Sequence, residues 1–267
     1  MRLKYLKLIG NKVRPTEFAL FIKWILRIKR KEFPYDKDHQ FYIDPISDLG
    51  LKIQEAGFYE PEMTNSILEI LTPGDTFIDL GANEGFFSVL ASVQVGKNGT
   101  VISIEPQQRL WEIIIKNYEL NNCFNCKLMP YGIDATPGTA TIFLYTSLNT
   151  GASSLSNKFN FKISFASLRK KIYGHATIKT KTLDEIISEA NLNAVKLIKI
   201  DIEGYEFQAL KGAADSLRKK AIQNLLIEIH PEALATLNQS EALIVEFLSG
   251  YGYAAEVIQP NLLLFHS

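Results

Sequence analysis

The chain has 267 residues, of which 46% are hydrophobic and 22% are charged, and its formal net charge is zero. These values are typical of a globular protein, and the length suffices for one large core or for a core with an appendage. The longest apolar stretch, residues 18–28, contains Lys23 and Arg27 and is too short to cross a bilayer. The composition therefore excludes a protein built from membrane-spanning helices. The basic N-terminus shows no clean signal-peptide pattern, so we expect a cytoplasmic protein.

The charge is unevenly distributed along the chain. Residues 1–35 contain ten Lys or Arg and two acidic residues, a local net charge of +8, so the remainder carries −8. Residues 17–31 predict a helix in which Lys23, Arg27 and Arg30 with Lys31 form a basic stripe and apolar side chains cover the other faces. We expect this helix to dock on the domain. Peripheral membrane contact and pairing as a homodimer are the alternatives.

From residue 41 the pattern changes to short apolar strands and amphipathic helices. Phe41–Ile43 predicts a strand, and Pro61 lies near the first turn of a helix that runs to Leu71. Regular alternation follows, which is typical of βαβ units that form a parallel sheet with helices on both faces. The predicted elements are strands at 76–80, 100–104 and 126–131 and helices at 85–95 and 107–121.

The two cysteines, Cys123 and Cys126, have C-x-x-C spacing, but no second cysteine pair or nearby histidine completes a zinc site. A redox pair normally lies at the start of a helix, whereas these residues lie between a helix and a strand. We therefore expect reduced, structural thiols.

The second half of the chain contains a break in this rhythm. A strand at 138–146 is followed by residues 147–175, which are rich in Ser, Asn, Lys and Phe and which we interpret as a lid or substrate-loop insertion. His175 could reach the site from it, although a solvated histidine is the simpler interpretation. The chain then divides into a basic N-terminal helical extension, residues 1–40, and a domain of residues 41–267. The remaining predicted elements are strands at 176–181, 195–201, 225–230, 253–258 and 261–266, the last two forming a hairpin, and helices at 182–190, 205–219 and 241–250.

A strand, a glycine turn and a helix at residues 76–91 let the backbone approach a ligand and direct a helix N-terminus toward it. Compared with the dinucleotide pattern G-x-G-x-x-G beginning at Gly81, Asn83 and Phe86 replace the second and third glycines. Glu84 would place a carboxylate where a pyrophosphate should bind, and the two charges would repel. A cofactor with an ammonium group and no phosphate fits better, which favours S-adenosylmethionine over NAD(P).

Glu105 ends the next predicted strand, 20 residues beyond Gly85. A carboxylate at the tip of the neighbouring strand can accept two hydrogen bonds from ribose hydroxyls. The alternative is that Glu105 caps the helix that begins near Pro106. We favour the ribose role because the glycine turn precedes Glu105 at the spacing expected for a nucleoside site.

Several motifs together carry a family resemblance. The most specific is the sequence IKIDIEGYE at residues 198–206, followed by LKGA at 210–213. Other matching segments are YEPE at 59–62, the turn at 74–88, Glu105-Pro106, TLDE at 182–185 and EIH at 228–230. With these segments the chain resembles the FkbM family of class I S-adenosylmethionine-dependent methyltransferases. The resemblance covers about residues 50–265 and leaves the first 40 residues outside.

The resemblance implies a fold and an activity. The fold is an α/β, Rossmann-like seven-stranded sheet in the order 3-2-1-4-5-7-6, with strand 7 antiparallel and helices on both faces. The activity is O-methylation of hydroxyls, often on sugars or polyketide-like products, with S-adenosylmethionine as methyl donor. The acceptor itself is not fixed by the resemblance.

The resemblance also implies roles for individual residues around the cofactor. Asp79, Gly81 and Gly85 would bracket the methionine part and Glu105 would hold the ribose. Tyr131 and Gly132 would flank the adenine, and Glu60 would bind the ammonium group or would simply favour the helix start. The expected cofactor-binding residues are Tyr59, Glu60, Asp79, Gly81, Ala82, Asn83, Gly85, Phe86, Glu105, Tyr131, Gly132 and Asp201.

Methyl transfer needs the acceptor oxygen aligned behind the methyl group, and a base helps because an aliphatic hydroxyl is a poor nucleophile. Ligand sites in open α/β sheets lie at the carboxyl ends of the strands, where Asp201 and His230 end neighbouring strands. We expect His230 to act as the base and Asp201 to orient it or to contact the methyl end of the cofactor. Glu203 is a third catalytic candidate, although it could instead shape the turn. His230 could instead be only a helix-start residue before Pro231.

A divalent metal held by Asp201, Glu203 or Glu228 is a minority alternative, because no compact set of three ligands is visible in the sequence. We expect no metal.

The leading interpretation is an O-methyltransferase for a small hydroxylated molecule, a sugar or a glycolipid-like acceptor. The alternatives are an NAD(P)-dependent oxidoreductase and a non-catalytic membrane-peripheral binding protein. A nucleic-acid partner is not expected, because the acidic body lacks a basic stripe with interleaved aromatic residues.

Overall fold

The computed structural model describes residues 16–144 and 174–267. The first half contains α1 (Thr16–Ile25), β1 (Lys31–Pro34), β2 (Gln40–Ile43), α2 (Asp48–Ala56), α3 (Pro61–Ile70), β3 (Thr76–Leu80), α4 (Phe86–Val95), β4 (Thr100–Ile104), α5 (Gln108–Leu120), β5 (Cys126–Met129), β6 (Gly132–Ile133) and β7 (Gly138–Leu144). The second half contains β8 (Gly174–Lys181), α6 (Leu183–Glu189), β9 (Val195–Ile200), α7 (Glu206–Lys211), α8 (Ala214–Arg218), β10 (Ile222–Glu228), α9 (Pro231–Thr236), α10 (Glu241–Gly250), β11 (Ala254–Gln259) and β12 (Leu262–His266).

Seven strands form the main sheet in the order β11-β12-β10-β9-β3-β4-β5. From β10 to β5 the neighbouring strands pair in parallel, whereas β12 runs antiparallel to both β10 and β11. Numbered along the domain, this is the order 3-2-1-4-5-7-6 with strand 7 antiparallel. The fold predicted from the sequence is therefore confirmed, including the closing hairpin.

The central strands are apolar because both faces of the sheet are covered. Successive residues of β3 point to opposite faces, so Ile78 packs with α6–α10 while Phe77 packs with α2–α5. A second, three-stranded sheet, β6-β8-β7, lies beside the carboxyl end of β5. The two strands that flank residues 145–173 thus pair with each other, and the predicted insertion at 147–175 otherwise lies outside the described residues.

The N-terminal segment differs from the prediction. The helix ends at Ile25 rather than at residue 31, and β1 pairs antiparallel with β2. This hairpin crosses the predicted boundary at residue 40, and the division into domains stays a prediction. The predicted basic stripe is split, because Lys23 and Arg30 contact buried acids while Arg27 is exposed. The segment therefore docks through charge, and part of its apolar surface faces outward.

Two further differences have local causes. Helix α2 was not predicted, and its N-cap is Ser47, whose hydroxyl accepts a hydrogen bond from the backbone N–H of Gly50. The single helix predicted at 205–219 is two helices, α7 and α8, with Gly212 between them. A Cβ at Gly212 would lie 2.5 Å from the carbonyl oxygen of Asp134, so the chain bends at a position where only glycine fits.

The thiols of Cys123 and Cys126 are not joined by a disulfide, and Cys123 is buried. Within the described residues, no helix is both long and apolar enough to cross a membrane.

A buried lysine joins the two central strands. The Nζ atom of Lys199 on β9 lies 3.2 Å from Asp79 Oδ1 at the end of β3 and 3.4 Å from Asp201 Oδ2. It also donates a hydrogen bond of 2.9 Å to the carbonyl of Gly81. Burial opposes the charge, but the two carboxylates outweigh it and raise the pKa of Lys199 above its ordinary value.

We expect Lys199→Met to lower the free energy of unfolding by about 3 to 5 kcal/mol, because it leaves the buried carboxylate of Asp79 without its cation. Urea unfolding monitored by circular dichroism measures the change. Adding Asp79→Asn to the same chain should recover part of the loss. Lys196→Met, a change at a partly exposed position on the same strand, should alter stability by about 0.5 kcal/mol or less. Equal losses for Lys196→Met and Lys199→Met would contradict this account.

Candidate active site

A cavity opens at the carboxyl ends of the parallel strands, the position expected for a ligand in an open α/β sheet. It contains all three residues predicted to be catalytic and most of those predicted to bind a cofactor. The predicted residues that line it are Tyr59, Glu60, Gly81, Asn83, Glu105, Tyr131, Gly132, Asp201, Glu203 and His230. Asp48 and Glu228 add further carboxylates to its wall.

The turn after β3 brings the backbone close to β9. Gly81 has a φ of +78°, and a Cβ at this position would lie 2.0 Å from the carbonyl oxygen of Asp201. Glycine is therefore required both by the backbone conformation and by the close approach of the two strand ends. Asn83 also lies in the left-handed region, with a φ of 50°, and its backbone N–H donates to Glu105 Oε2 at 2.9 Å.

Glu105 is buried at the tip of β4. Its Oε1 accepts a hydrogen bond of 2.9 Å from the backbone N–H of Gln107, and its Oε2 accepts the one from Asn83. Burial raises the pKa of Glu105 to about 7. The carboxylate thus braces the glycine turn and the start of the next helix while it faces the cavity, so the two roles weighed from the sequence are compatible.

Glu84 does not face the cavity. Its carboxylate is almost fully buried and accepts two hydrogen bonds from the guanidinium of Arg30, at 2.8 and 2.6 Å. The backbone carbonyl of Glu84 accepts a further bond from Asn117 Nδ2. The expected repulsion between Glu84 and a pyrophosphate was therefore wrong, because the N-terminal segment neutralises this charge away from the ligand.

Four predicted cofactor-binding residues support the cavity wall from behind it instead of lining it. Asp79 is buried, accepts a hydrogen bond of 2.6 Å from the Ser88 hydroxyl and pairs with Lys199. Ala82 is buried, and Gly85 is the N-cap of α4. Phe86 lies in an aromatic cluster with Tyr35, Phe41, Tyr59 and Phe87.

His230 is held by carboxylates on two sides. Its Nδ1 lies 2.8 Å from Oε1 of the fully buried Glu206, and its Nε2 lies 3.7 Å from Asp201 Oδ1 and 3.9 Å from Glu203 Oε2. Burial opposes protonation, but the hydrogen bond to Glu206 and the neighbouring charges raise the pKa of His230 to about 9. The ring is thus fixed by Glu206, with Nε2 on the cavity side.

The other carboxylates of the cavity repel one another. Burial, followed by the charges of Asp201 and Glu60, raises the pKa of Glu228 to about 7. Burial and the charge of Asp201 also raise the pKa of Glu60. One oxygen each from Asp201 and Glu228 and one nitrogen of His230 lie within 4.8 Å of one another, a compact group that the sequence did not reveal.

Three charged residues that hold other parts of the site in place were not assigned site roles from the sequence. Lys199 could have been recognised from the sequence, because a lysine in the middle of an apolar strand is buried and requires acidic partners. Glu206 belongs to the matched motif, but only the fold places it against His230. Arg30 lies outside the family resemblance, and nothing in its neighbourhood in the sequence indicates Glu84.

The strand order, the glycine turn and the acid at the tip of β4 define a class I methyltransferase fold. Residues 79–254 match the family described as Methyltransferase FkbM domain. The chain belongs to this family and is a methyltransferase that uses S-adenosylmethionine. The cavity fits this cofactor, because it lies at the carboxyl ends of the strands and is lined by several carboxylates, which suit a cationic ligand.

Individual relatives are distant. The chain is 25% identical over 207 residues to Methyltransferase sdnD of Sordaria araneosa, covering 69% of this chain and 79% of that protein. It is 26% identical over 175 residues to Hexuronic acid methyltransferase AglP of Haloferax volcanii, covering 64% of this chain and 62% of the relative. A solved structure of Methyltransferase FkbM from Methylobacillus flagellatus covers 100% of this chain and 59% of its own, with 16% identity and a TM-score of 0.45.

We expect Arg30→Met to weaken binding of S-adenosylhomocysteine and to lower stability by about 3 kcal/mol, because it leaves the buried Glu84 carboxylate unpaired next to the cofactor turn. Titration calorimetry and urea unfolding measure the two effects. The matched control is Glu32→Gln, which removes the exposed pair with Lys116 and should cost less than about 1 kcal/mol. A stability loss with unchanged cofactor affinity would show that the Arg30–Glu84 pair does not position the turn.

Proposed function

We propose that the protein transfers the methyl group of S-adenosylmethionine to a hydroxyl oxygen of a small, polyhydroxylated acceptor such as a sugar or a glycolipid headgroup. The observation that carries the proposal is the imidazole of His230, fixed by Glu206 with its Nε2 in the cavity. Methylation of a hydroxyl requires a base that removes its proton, in addition to a bound cofactor, and His230 lies where such a base is needed.

The cofactor would lie across the strand ends from β9 to β5. Glu105 would accept hydrogen bonds from the ribose, and Tyr131 and Gly132 would contact the adenine. Glu60 and Asp201 would face the cationic end. This assignment is supported by the cavity lining and by the raised pKa of Glu60, whose charge is opposed by burial and by Asp201. A cationic ligand would stabilise that charge.

The chain's own residues would align the acceptor and remove its proton. When bound, S-adenosylmethionine supplies an activated methyl group, and the electrons of the breaking C–S bond stay on sulfur. His230 Nε2 would take the hydroxyl proton as the acceptor oxygen forms its bond to the methyl carbon. Glu206 would keep the Nδ1 proton in place and would stabilise the imidazolium that results.

The cavity charge indicates the class of acceptor. Asp48, Glu60, Asp201, Glu203 and Glu228 line the same cavity. These carboxylates accept hydrogen bonds from hydroxyl groups and disfavour an anionic acceptor, since like charges repel in a partly desolvated site. A neutral sugar is therefore favoured. The name of the relative AglP specifies a hexuronic acid, and this chain would take an acceptor without the carboxylate.

We expect Glu105→Gln to weaken binding of S-adenosylhomocysteine by about tenfold, because a charge-assisted hydrogen bond to ribose is worth roughly 1.5 to 3 kcal/mol. Titration calorimetry measures this. The control is Glu112→Gln on the exposed side of α5, which should leave affinity unchanged. Equal affinity for the wild type and Glu105→Gln would remove Glu105 from the proposed ribose contact.

A base at His230 predicts a particular pH dependence. Because the pKa of His230 is raised to about 9, kcat/KM for the cofactor should rise with pH and level off above about 9. Glu206→Gln removes a charge that raises this pKa, so the bend should move to lower pH. His230→Ala should lower kcat/KM by about 100-fold or more while S-adenosylhomocysteine still binds. The exposed Glu232→Gln serves as the control.

Two other results would replace His230 as the base. A bend near pH 7 that does not respond to Glu206→Gln would assign the base to Glu228. Loss of activity with a chelator, restored by a divalent cation, would assign activation of the hydroxyl to a metal at the group formed by Asp201, Glu228 and His230.

A further inference from the structure

The N-terminal segment exposes an unusual concentration of large apolar side chains. Phe21, Trp24, Ile25 and Leu26 are 50%, 75%, 53% and 58% exposed. We call these four residues the arm patch. The rings of Phe21 and Trp24 stack with their centroids 6.1 Å apart, so the two aromatic residues form one continuous surface. A contiguous exposed apolar surface of this kind marks a contact site rather than ordinary surface variation.

Basic residues border the arm patch. Arg27, Lys29 and Lys31 are exposed in the same short segment. Glu32 is the acid within residues 20–33, and it pairs with Lys116 at 3.2 Å. An exposed tryptophan beside aliphatic side chains and cations is the composition of surfaces that insert into the headgroup region of anionic bilayers.

The arm patch is fixed relative to the catalytic body. Lys23, on the same helix, forms an ion pair with the buried Asp44, and Arg30 forms the bidentate pair with Glu84. The two cations that face the body therefore hold the segment in place, and the four side chains of the arm patch are left on the outside.

Charge decides between the occupants that could cover the arm patch. A second copy would bring one segment with a net charge of +8 against another. Residues 1–15 carry five basic residues and no acidic ones, so folding them over the patch would also place like charges together. An anionic lipid surface would attract the basic residues, and the apolar interior of the bilayer would accept the apolar side chains of the arm patch.

We propose that the arm patch docks the protein on an anionic bilayer, with Trp24, Ile25 and Leu26 in the headgroup region and Arg27, Lys29 and Lys31 on the lipid phosphates. The contact is peripheral and stands independently of the proposed reaction. It involves none of the residues that line the cavity, because the arm patch and its basic border lie outside the cavity lining.

Co-sedimentation of the full chain with vesicles tests the proposal. We expect binding to vesicles of phosphatidylcholine with phosphatidylglycerol, weak binding to phosphatidylcholine alone, and weakening of the anionic binding by salt. Trp24→Ser with Ile25→Ser should abolish binding, while Arg27→Gln and Lys29→Gln should each weaken it by about fivefold. Phe124→Ser, which removes a side chain that is 90% exposed elsewhere on the surface, is the matched control and should bind normally.

Calorimetry with S-adenosylhomocysteine confirms that each variant is folded, since none of these residues lines the cavity. Quenching of tryptophan fluorescence by bromine-labelled acyl chains should disappear in Trp24→Phe, which should still bind the vesicles. Quenching that persists in this variant would overturn the proposal. Vesicle binding that is unchanged by Trp24→Ser with Ile25→Ser would also overturn it. So would a lipid-free dimer in sedimentation velocity that these two changes dissociate, which would assign the arm patch to a second copy.

Discussion

The arrangement of the site depends on the ion pairs that the buried ammonium group of Lys199 forms with two carboxylates. This ammonium group lies between the carboxylates of Asp79 and Asp201 and donates to the carbonyl of Gly81, so one buried cation joins the end of β3, the cofactor turn and the end of β9. Because Asp201 Oδ2 is engaged by Lys199, its other oxygen faces His230. A buried ammonium group without such partners would strongly destabilise the folded state. The ends of β3 and β9 must therefore lie close enough for both carboxylates to reach Lys199.

Two further ion pairs of this kind, each with a buried acid, lie elsewhere in the site. Glu206 is buried and holds His230, and Glu84 is buried and holds Arg30. In each case an acid that has been removed from water requires a partner, and the partner belongs to another part of the chain. The glycine turn, His230 and the N-terminal segment are therefore each held by a charge pair, and aromatic packing of Phe86 on Tyr35 and Phe41 adds to the link at the turn. Such pairs fix orientation more strictly than apolar contacts, which tolerate substitution of similar volume.

The sequence predicted the fold because its strands and helices alternate with little ambiguity and because the motif at residues 198–206 is specific. It placed Asp201, Glu203 and His230 at one edge because the carboxyl ends of parallel strands meet there. It did not distinguish the residues that line the cavity from those behind it, such as Asp79 and Phe86. The two-residue period of a strand gives the face of a side chain but not its depth, and a turn such as residues 81–85 has no period at all.

The N-terminal segment shows why an amphipathic pattern can mislead about orientation. Periodicity defines two faces of a helix, and the usual expectation is that the apolar face contacts the body. Here the body offers two buried acids, Asp44 and Glu84, at the place where the segment lies. Leaving these acids unpaired would cost more than leaving Trp24 and Ile25 in water, because an unpaired buried charge costs several kcal/mol whereas exposing one apolar side chain costs about 1.5 to 3 kcal/mol. Lys23 and Arg30 therefore turn inward, whereas Trp24, Ile25 and Leu26 remain available for a surface outside the protein.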